Sequence, residues 1–477
     1  MAPLRTFASF VRVKAIMTER SFNLVVPLAQ KATAMRTTET TGSSRDRSGA
    51  VSPLIGNDLR QGDVDSTIQS TRQIPTMPGI RTSTTVTRTT TTPTTSSGRE
   101  LSANGNGSAG HHADFSELVQ AYFDCRRNKR NSASALSFEQ DLERNLAGLY
   151  DDLINWTYQP GRSICFVITR PKPREVWAAE FRDRIVHHLF YNRISPRYYR
   201  SFIADSCACI PGRGTLYGAR RLEAKIRSIT QNWSRPAYYL KLDLANFFVS
   251  IDKHVIWEKL TARVVEPWWQ WLAHTILFHD PRQDFELRGT PELLDRVPAH
   301  KRLINQPLHR GLPIGNLSSQ FFANVLLDAL DQHVKRRIGA RHYVRYVDDF
   351  ILLHESPQWL NAARADIESW LPANLGLRLN PSKTILQPVA RGVDFVGQVI
   401  RPWHTTTRRR TLNDALRRAA EINAADLYET ANSYFGLLRQ ATHSHHERAQ
   451  LANVLRSRGH TINKQFTKTF RKSRENT

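Results

Sequence analysis

Cysteine is scarce in this chain, which has four among its 477 residues: Cys125, Cys165, Cys207 and Cys209. One residue separates Cys207 from Cys209 and no second close pair follows, so the spacing of a zinc knuckle is missing. We interpret all four as reduced thiols of a cytoplasmic protein. Long apolar runs are missing as well, since none approaches the ~20 residues that span a membrane. The sequence therefore predicts no membrane partner.

Acidic residues are few relative to basic ones. The chain has 43 Asp and Glu against 67 Lys and Arg, which gives a net charge of +24. Residues 1–112 hold 13 Lys and Arg against 7 Asp and Glu, so most of the excess lies in the rest of the chain. A surplus of this size favours nucleic acid as a partner, although a solvated basic surface would give the same composition.

Apolar residues are sparse in the first part of the chain. Residues 37–112 are rich in Thr, Ser, Gly and Arg, and include TSTTVTRTTTTPTTSSG at 82–98. Such a segment buries too little apolar surface to offset the entropy of ordering. We therefore predict a disordered leader over residues 1–112. Its first 36 residues contain a single acid, Glu19, which is typical of an organelle transit peptide and equally of an over-extended start.

Apolar periodicity begins near Phe115. The segments AYYLKLDLANFFVSID (237–252) and YVRYVDDFILLH (343–354) are typical of strands. Apolar spacing predicts further elements: helices at 138–158, near 255–278, at 317–337 and at 358–371, a polar loop before 317, two short strands within 384–402, and basic helices over 411–475. Strands and helices joined in this mixed order favour an α+β fold.

Three aspartates interrupt apolar strands. Asp348 and Asp349 are adjacent within 343–354, where two like charges in a half-buried hairpin are costly, and Asp243 interrupts LKLDL. If the two strands pair, the three carboxylates converge and require a cation. Hard oxygen ligands, with no His or Cys nearby, favour two Mg²⁺ ions, or Mn²⁺, acting in phosphoryl transfer. The alternative is a solvent-exposed turn with two chance aspartates.

Six motifs in chain order carry a resemblance to reverse transcriptases. RYVDDFILL (345–353) resembles their active-site hairpin, and LKLDLANFF (240–248) resembles their first aspartate motif. RPKPREVWAAEFRDRIVHHLF (170–190) resembles the fingers segment, and GLPIGNLSSQFFANVLLDALD (311–331) resembles the template-contacting loop and helix. LNPSKT (379–384) resembles the lysine motif beside pyrophosphate, and FVGQVI (395–400) resembles the primer grip.

The resemblance implies a right-hand polymerase fold. Residues 113–235 would form an N-terminal extension and the fingers, 236–402 a palm of antiparallel sheet and helices, and 403–477 a basic helical thumb and tail. The implied activity is RNA-directed DNA synthesis, with a template RNA, a DNA or RNA primer and dNTPs as partners.

One motif indicates which group of reverse transcriptases the chain resembles most. In IGNLSSQ, Ile314 precedes the glycine and Gln320 ends the motif, which is similar to the reverse transcriptases of diversity-generating retroelements. That family makes error-prone cDNA for mutagenic retrohoming and uses a small basic accessory protein. The alternatives are a non-mutagenic bacterial reverse transcriptase of the defence, retron or intron type, and a catalytically silent RNA-binding scaffold.

The resemblance also assigns site residues. Asp243, Asp348 and Asp349 would be the metal ligands. Lys383 would protonate pyrophosphate, unless it is an exposed loop lysine, and Phe248 would be the aromatic gate against a ribose 2′-hydroxyl, unless it is an ordinary core aromatic. Three cations are candidates for binding the triphosphate or for a solvated basic face: Lys172, Arg174 and Arg182. Three residues are expected beside the template–nucleotide pair, with Gly315 alternatively a helix-entry glycine: Ile314, Gly315 and Gln320.

Overall fold

The computed structural model describes residues 112–127, 132–169 and 172–470. The leader predicted over residues 1–112 lies outside these ranges, apart from its last residue. The helices of the described residues are α1 (Phe115–Arg126), α2 (Ala133–Glu139), α3 (Leu142–Ile154), α4 (Phe181–Tyr199), α5 (Thr215–Ile229), α6 (Phe247–Ser250), α7 (Lys253–Thr261), α8 (Pro267–Phe278), α9 (Pro291–Asp295), α10 (Leu317–Gln332), α11 (Pro357–Leu375), α12 (Arg409–Glu421), α13 (Ala424–Leu438) and α14 (His445–Ser457). None of them combines the length and apolar character that a membrane-spanning helix needs.

The strands fall into three sheets. Their bounds are β1 (Ser163–Ile168), β2 (Arg174–Ala179), β3 (Tyr238–Asp243), β4 (Phe285–Arg288), β5 (His342–Tyr346), β6 (Asp349–His354), β7 (Ile385–Pro388), β8 (Val393–Phe395), β9 (Gln398–Arg401) and β10 (His404–Thr407). The central sheet has the order β5-β6-β3-β7 and is antiparallel throughout. The hairpin predicted at 343–354 is confirmed, because β5 and β6 pair with each other.

The central sheet is covered by apolar side chains on both faces. One face packs through Val344, Ile351 and Leu353 into a core that it shares with α5. The other face packs through Leu240 and Phe350 into the largest core, which includes residues of α10 and α11. Strand side chains alternate between faces. The aspartates that end β3 and begin β6 therefore project from the same face as α5.

The N-terminal sheet has the order β2-β1-β4. β1 pairs antiparallel with β2 and parallel with β4, whereas a polar loop was predicted across β4. That prediction was wrong because FELR, the sequence of β4, is too short and too charged to show the alternation typical of a strand. β4 joins the sheet only by pairing with β1, which lies far earlier in the chain. The Phe285 ring lies edge-on to Trp177 of β2, with centroids 4.9 Å apart.

The C-terminal part contains a small antiparallel sheet and a helical core. β8, β9 and β10 pair in order, so residues 384–402 hold three short strands, β7 to β9, where two were predicted. Helices α12 to α14 share a separate core that includes Leu427, Phe435 and Leu451. Among the described residues, the helical region predicted over 411–475 ends at Ser457, where Gly459, with a φ of +77°, follows the cap residue. Residues 471–475 lie outside the described ranges.

Candidate active site

The three aspartates meet at one edge of the central sheet. Asp243 is the last residue of β3, Asp349 is the first residue of β6, and the two lie directly opposite each other in the antiparallel register. Asp348 lies in the turn between β5 and β6, and its carbonyl accepts a hydrogen bond from Leu244 N at 3.2 Å. The structure thus brings together acids from two segments that lie about a hundred residues apart in the sequence.

The turn that carries Asp348 has a strained backbone. Val347 has a φ of +55°, a region that a β-branched residue rarely adopts and that costs about 1–3 kcal/mol. Arg345 Nη1 donates a hydrogen bond to the Val347 carbonyl at 3.0 Å. This hydrogen bond stabilises the backbone conformation of the turn.

Arg345 belongs to a buried polar network. Its guanidinium forms an ion pair with Asp331 of α10 at 2.7 Å, and the two side chains are 1% and 0% exposed. Tyr343 donates a hydrogen bond to the same carboxylate at 2.7 Å, and Arg345 also donates to Ser206 Oγ at 2.9 Å. The network therefore fixes the hairpin to α10 and to the segment before α5.

Asp243 is held by groups from the segment after α11. Lys383 Nζ lies 2.7 Å from Asp243 Oδ2, and Asn380 Nδ2 donates to Asp243 Oδ1 at 3.3 Å. Asn380 N also donates to the Asp243 carbonyl at 2.8 Å. The buried carboxylate therefore has one positive neighbour, Lys383, and the role with pyrophosphate that the resemblance implies for this lysine stays a prediction.

Asp349 has a second lysine beside it. Lys241 Nζ lies 3.1 Å from Asp349 Oδ2 and donates to the Asp394 carbonyl at 2.9 Å. Asp349 Oδ1 is buried without a hydrogen-bond partner among the described residues. Burial raises the pKa of Asp349 to about 6, with a further contribution from the negative charges of Asp243 and Asp348, although Lys241 lowers the pKa.

Asp348 has a raised pKa for the same reasons. Burial is the main cause, and the charge of Asp243 raises the pKa further, whereas Lys383 and Arg174 lower it. The positive charges of Lys241 and Lys383 therefore neutralise only part of the negative charge of the three aspartates. This excess of negative charge is the electrostatic property that a cation site requires.

The donor set suits a divalent cation. It consists of hard carboxylate oxygens, one of which has no partner among the described residues. Within residues 112–127, 132–169 and 172–470, no group of three or more His, Cys, Asp or Glu side chains is already arranged to hold a metal ion. Lys383 and Lys241 lie against two of the acids, so a cation bound by these carboxylates would compete with the two ammonium groups.

The loop before α10 is attached to β2 through the main chain. Trp177 N donates to the Ile314 carbonyl at 2.7 Å, and Ala179 N donates to Asn316 Oδ1 at 3.0 Å. Gly315, between them, has a φ of +134°, and a Cβ atom there would lie 2.8 Å from Trp177 O. The glycine is therefore required by close backbone approach.

Replacing Gly315 with Ala is expected to destabilise the protein by more than the ~1–3 kcal/mol that the backbone conformation alone costs, because the new methyl group also overlaps Trp177 O. Urea denaturation measures the change. Gly212→Ala is the matched control: Gly212 also has a positive φ, +75°, but nothing lies within 4 Å of its added Cβ. Equal losses in the two variants would contradict the steric argument.

The other predicted site residues lie in different surroundings. Arg174 begins β2 and lowers the pKa of Asp348, while Lys172 is exposed two residues before it. Arg182 contacts Asp152 at 2.5 Å and lies over the Tyr158 ring, so the described contacts of its guanidinium are within the N-terminal part. A role for these cations with a triphosphate stays a prediction.

Phe248 and Gln320 are both half-buried. Phe248 lies in α6, and its carbonyl accepts a hydrogen bond from Leu312 N at 2.8 Å. Its neighbour Phe247 is 3% exposed and belongs to the core. Gln320 lies in the first turn of α10, close in sequence to the loop that contains Ile314.

Sequence reasoning missed several residues of the site. Lys241 stands two positions before Asp243, and the alternation of strand side chains places both on one face, so its role could have been predicted. Asn380, Asp331 and Arg345 give no comparable signal, because their contacts join segments far apart in the chain.

A comparison with protein families identifies the central part of the chain. Residues 170–400 match the model of the family described as reverse transcriptase (RNA-dependent DNA polymerase). The matched segment contains the central sheet and all three aspartates. It is a reverse transcriptase domain, the domain of RNA-directed DNA polymerases, and the expected α+β polymerase fold is confirmed.

Solved structures with similarity to this chain include telomerases. Apo telomerase from Candida tropicalis, truncated from its C-terminal domain, matches over 52% of this chain and 55% of its own at 14% identity, with a TM-score of 0.38. Telomerase from Candida albicans, in complex with a TWJ fragment of telomeric RNA, matches over 62% and 55% at 13% identity, with a TM-score of 0.36. The chain spans about half the length of these structures. No curated protein matches it.

Proposed function

We propose that the reverse transcriptase domain at residues 170–400 makes this chain an RNA-directed DNA polymerase that copies a template RNA from a DNA or RNA primer with dNTPs. The observation that carries the proposal is the meeting of Asp243, Asp348 and Asp349 at one sheet edge with incompletely balanced charge. A scaffold that only binds RNA would have no use for three acids at one sheet edge, where the charge of Asp243 raises the pKa values of Asp348 and Asp349.

Asp243, Asp348 and Asp349 would hold two Mg²⁺ ions, with Mn²⁺ as a substitute. When bound, such ions stabilise the negative charge on the attacking and leaving oxygens of an in-line displacement. Lys383, once displaced from Asp243, is free to give a proton to pyrophosphate. Arg174 supplies positive charge near Asp348 for the triphosphate.

Phe248 would exclude ribonucleotides by contact with the 2′-hydroxyl. Replacing Phe248 with Val is expected to relax the preference for dNTP over rNTP by about 10- to 100-fold, a range typical for a change of pocket size. Single-nucleotide incorporation gives the two specificity constants. Phe247→Val is the control, because Phe247 is a buried neighbour and its truncation should lower stability without changing the preference. An unchanged preference in Phe248→Val would exclude the gate.

We further infer that the cDNA is error-prone and serves a diversity-generating retroelement in the cytoplasm, together with a small basic accessory protein. Ile314 supports this proposal, because it is an apolar residue at the position where, by the resemblance, most bacterial reverse transcriptases have Gln. Absence of one polar contact to the template–nucleotide pair costs about 1–3 kcal/mol of discrimination, which is roughly tenfold or more in fidelity.

The test is primer extension by the full chain on an RNA template with Mg²⁺ and four dNTPs, followed by sequencing of the cDNA. Asp348→Ala with Asp349→Ala is the control. Product that depends on the aspartates and carries errors mainly opposite adenine, the bias that the resemblance to diversity-generating retroelements implies, supports both proposals. Accurate product supports the polymerase and excludes the diversifying role. Absence of product in the wild type, with cognate RNA and accessory protein present, contradicts both.

A further inference from the structure

A basic groove lies at the end of β5 opposite the aspartate turn. It has a volume of about 230 Å³ and is lined by Arg221, Ala224, Lys225, Ser228, Arg341 and His342; we call it the α5 groove. His342 begins β5, and the turn follows its end at Tyr346. At about 3.3 Å per residue, roughly 17 Å separates the groove from the turn, so the groove is a feature distinct from the candidate active site.

The interior of the α5 groove has more positive than negative charge. Asp205 is surrounded by Arg221 at 2.5 Å, Lys225 at 3.0 Å and Lys335 at 3.6 Å. Burial lowers the pKa of His342 to about 4, with contributions from the positive charges of Lys225, Arg341 and Lys335. One buried carboxylate therefore faces three cations, and a net positive charge is left for a ligand.

Exposed cations adjoin residues of the α5 groove in the sequence, and we call these four the rim. Arg220 precedes Arg221 on α5, Arg336 and Arg337 follow Lys335 in the π-helical turn after α10, and Arg341 lines the groove itself. None of the four forms a salt bridge among the described residues. Lys225 and Lys335 both donate to the Arg341 carbonyl, at 3.5 Å and 2.8 Å, so two of the cations around Asp205 are joined directly to Arg341.

We propose that the α5 groove binds the phosphate backbone of an RNA duplex, outside the region being copied. Arginine and lysine side chains with an exposed hydroxyl at Ser228 are donors suited to phosphate oxygens. The cations extend along a helix and into the neighbouring turn, which suits a repeating polyanion better than a single anion. The choice of RNA rests on the proposed function, since the polymerase would have to retain the RNA that it copies.

Ser228 offers a test that leaves the ion pairs of Asp205 intact. Ser228→Asp places a carboxylate in the groove, and Ser228→Asn is the neutral control of similar size. Binding of the full chain to a labelled RNA hairpin, measured by fluorescence anisotropy, is expected to be about tenfold weaker for Ser228→Asp than for Ser228→Asn. Equal affinity of the two variants would overturn the proposal and favour another occupant, such as an acidic protein surface.

The exposed rim gives a second test. Arg220→Glu, Arg336→Glu and Arg341→Glu combined should lower the slope of log affinity against log salt by about 0.7–0.9 for each phosphate that is no longer neutralised. Arg144→Glu, Arg296→Glu and Lys301→Glu make the same change of charge at exposed positions elsewhere, and the slope should stay closer to that of the wild type. Equal slopes for the two triple variants would attribute the effect to net charge and overturn the proposal.

Primer extension on a short linear RNA separates the two proposals. The groove variants should extend it at the wild-type rate, because the groove is remote from the turn. If the wild type extends no primer even with cognate RNA and accessory protein present, but Ser228→Asp still weakens hairpin binding relative to Ser228→Asn, the polymerase proposal fails and the groove proposal stands.

Discussion

Replacing Asp348 with Asn should reduce primer extension by about 10³-fold or more while leaving the protein at least as stable as the wild type. Activity falls because the ligand set loses a charged oxygen, and divalent cations supply several kcal/mol of transition-state stabilisation. Stability is retained because the substitution removes a carboxylate whose pKa is raised by burial and by Asp243. Primer extension and thermal unfolding of the same preparation measure the two effects.

Asp252→Asn is the matched control for this experiment. Asp252 is also half-buried and follows Asp243 closely in the chain, where it caps α7 by accepting a hydrogen bond from His254 N at 2.9 Å. Asn is an equally good cap residue, so both activity and stability should be preserved. Full activity in Asp348→Asn would show that Asp348 is not a metal ligand. Loss of folding would show that the Asp348 carboxylate does not destabilise the fold.

Replacing Arg345 with Met is expected to lower the free energy of unfolding by about 3–5 kcal/mol, because it leaves Asp331 buried without its partner. It also removes the donor to the Val347 carbonyl. Chemical denaturation measures the stability change. Wild-type stability in this variant would show that Asp331 is neutralised by other means.

A double variant separates stability from positioning. Arg345→Met with Asp331→Leu removes both charges, and such replacements of buried ion pairs are often neutral for stability. We expect it to recover folding but to keep a lowered kcat and a higher Mg²⁺ concentration for half-maximal rate, since the turn at Val347 is no longer held. Recovery of kcat together with stability would mean that the pair serves only the fold.

The sequence predicted local features of the site better than distant contacts. The β5–β6 hairpin and the strand of Asp243 could be predicted because their apolar residues alternate and are long enough to recognise. The contact of Lys383 with Asp243 could not be predicted from local patterns, since the two residues are 140 positions apart; the resemblance implied only a lysine beside pyrophosphate. The network of Arg345 and Asp331 could not be predicted, because a buried ion pair depends on how α10 packs under the sheet.

The main-chain attachment of the loop at Ile314 bears on how the enzyme can evolve. Its carbonyl, and not its side chain, accepts the hydrogen bond from Trp177 N, while Gly315 permits the close approach. Exchange of the side chain at position 314 therefore leaves the anchoring hydrogen bond in place. If the side chain at position 314 sets fidelity, as proposed above, single mutations there would change copying accuracy with little loss of folding.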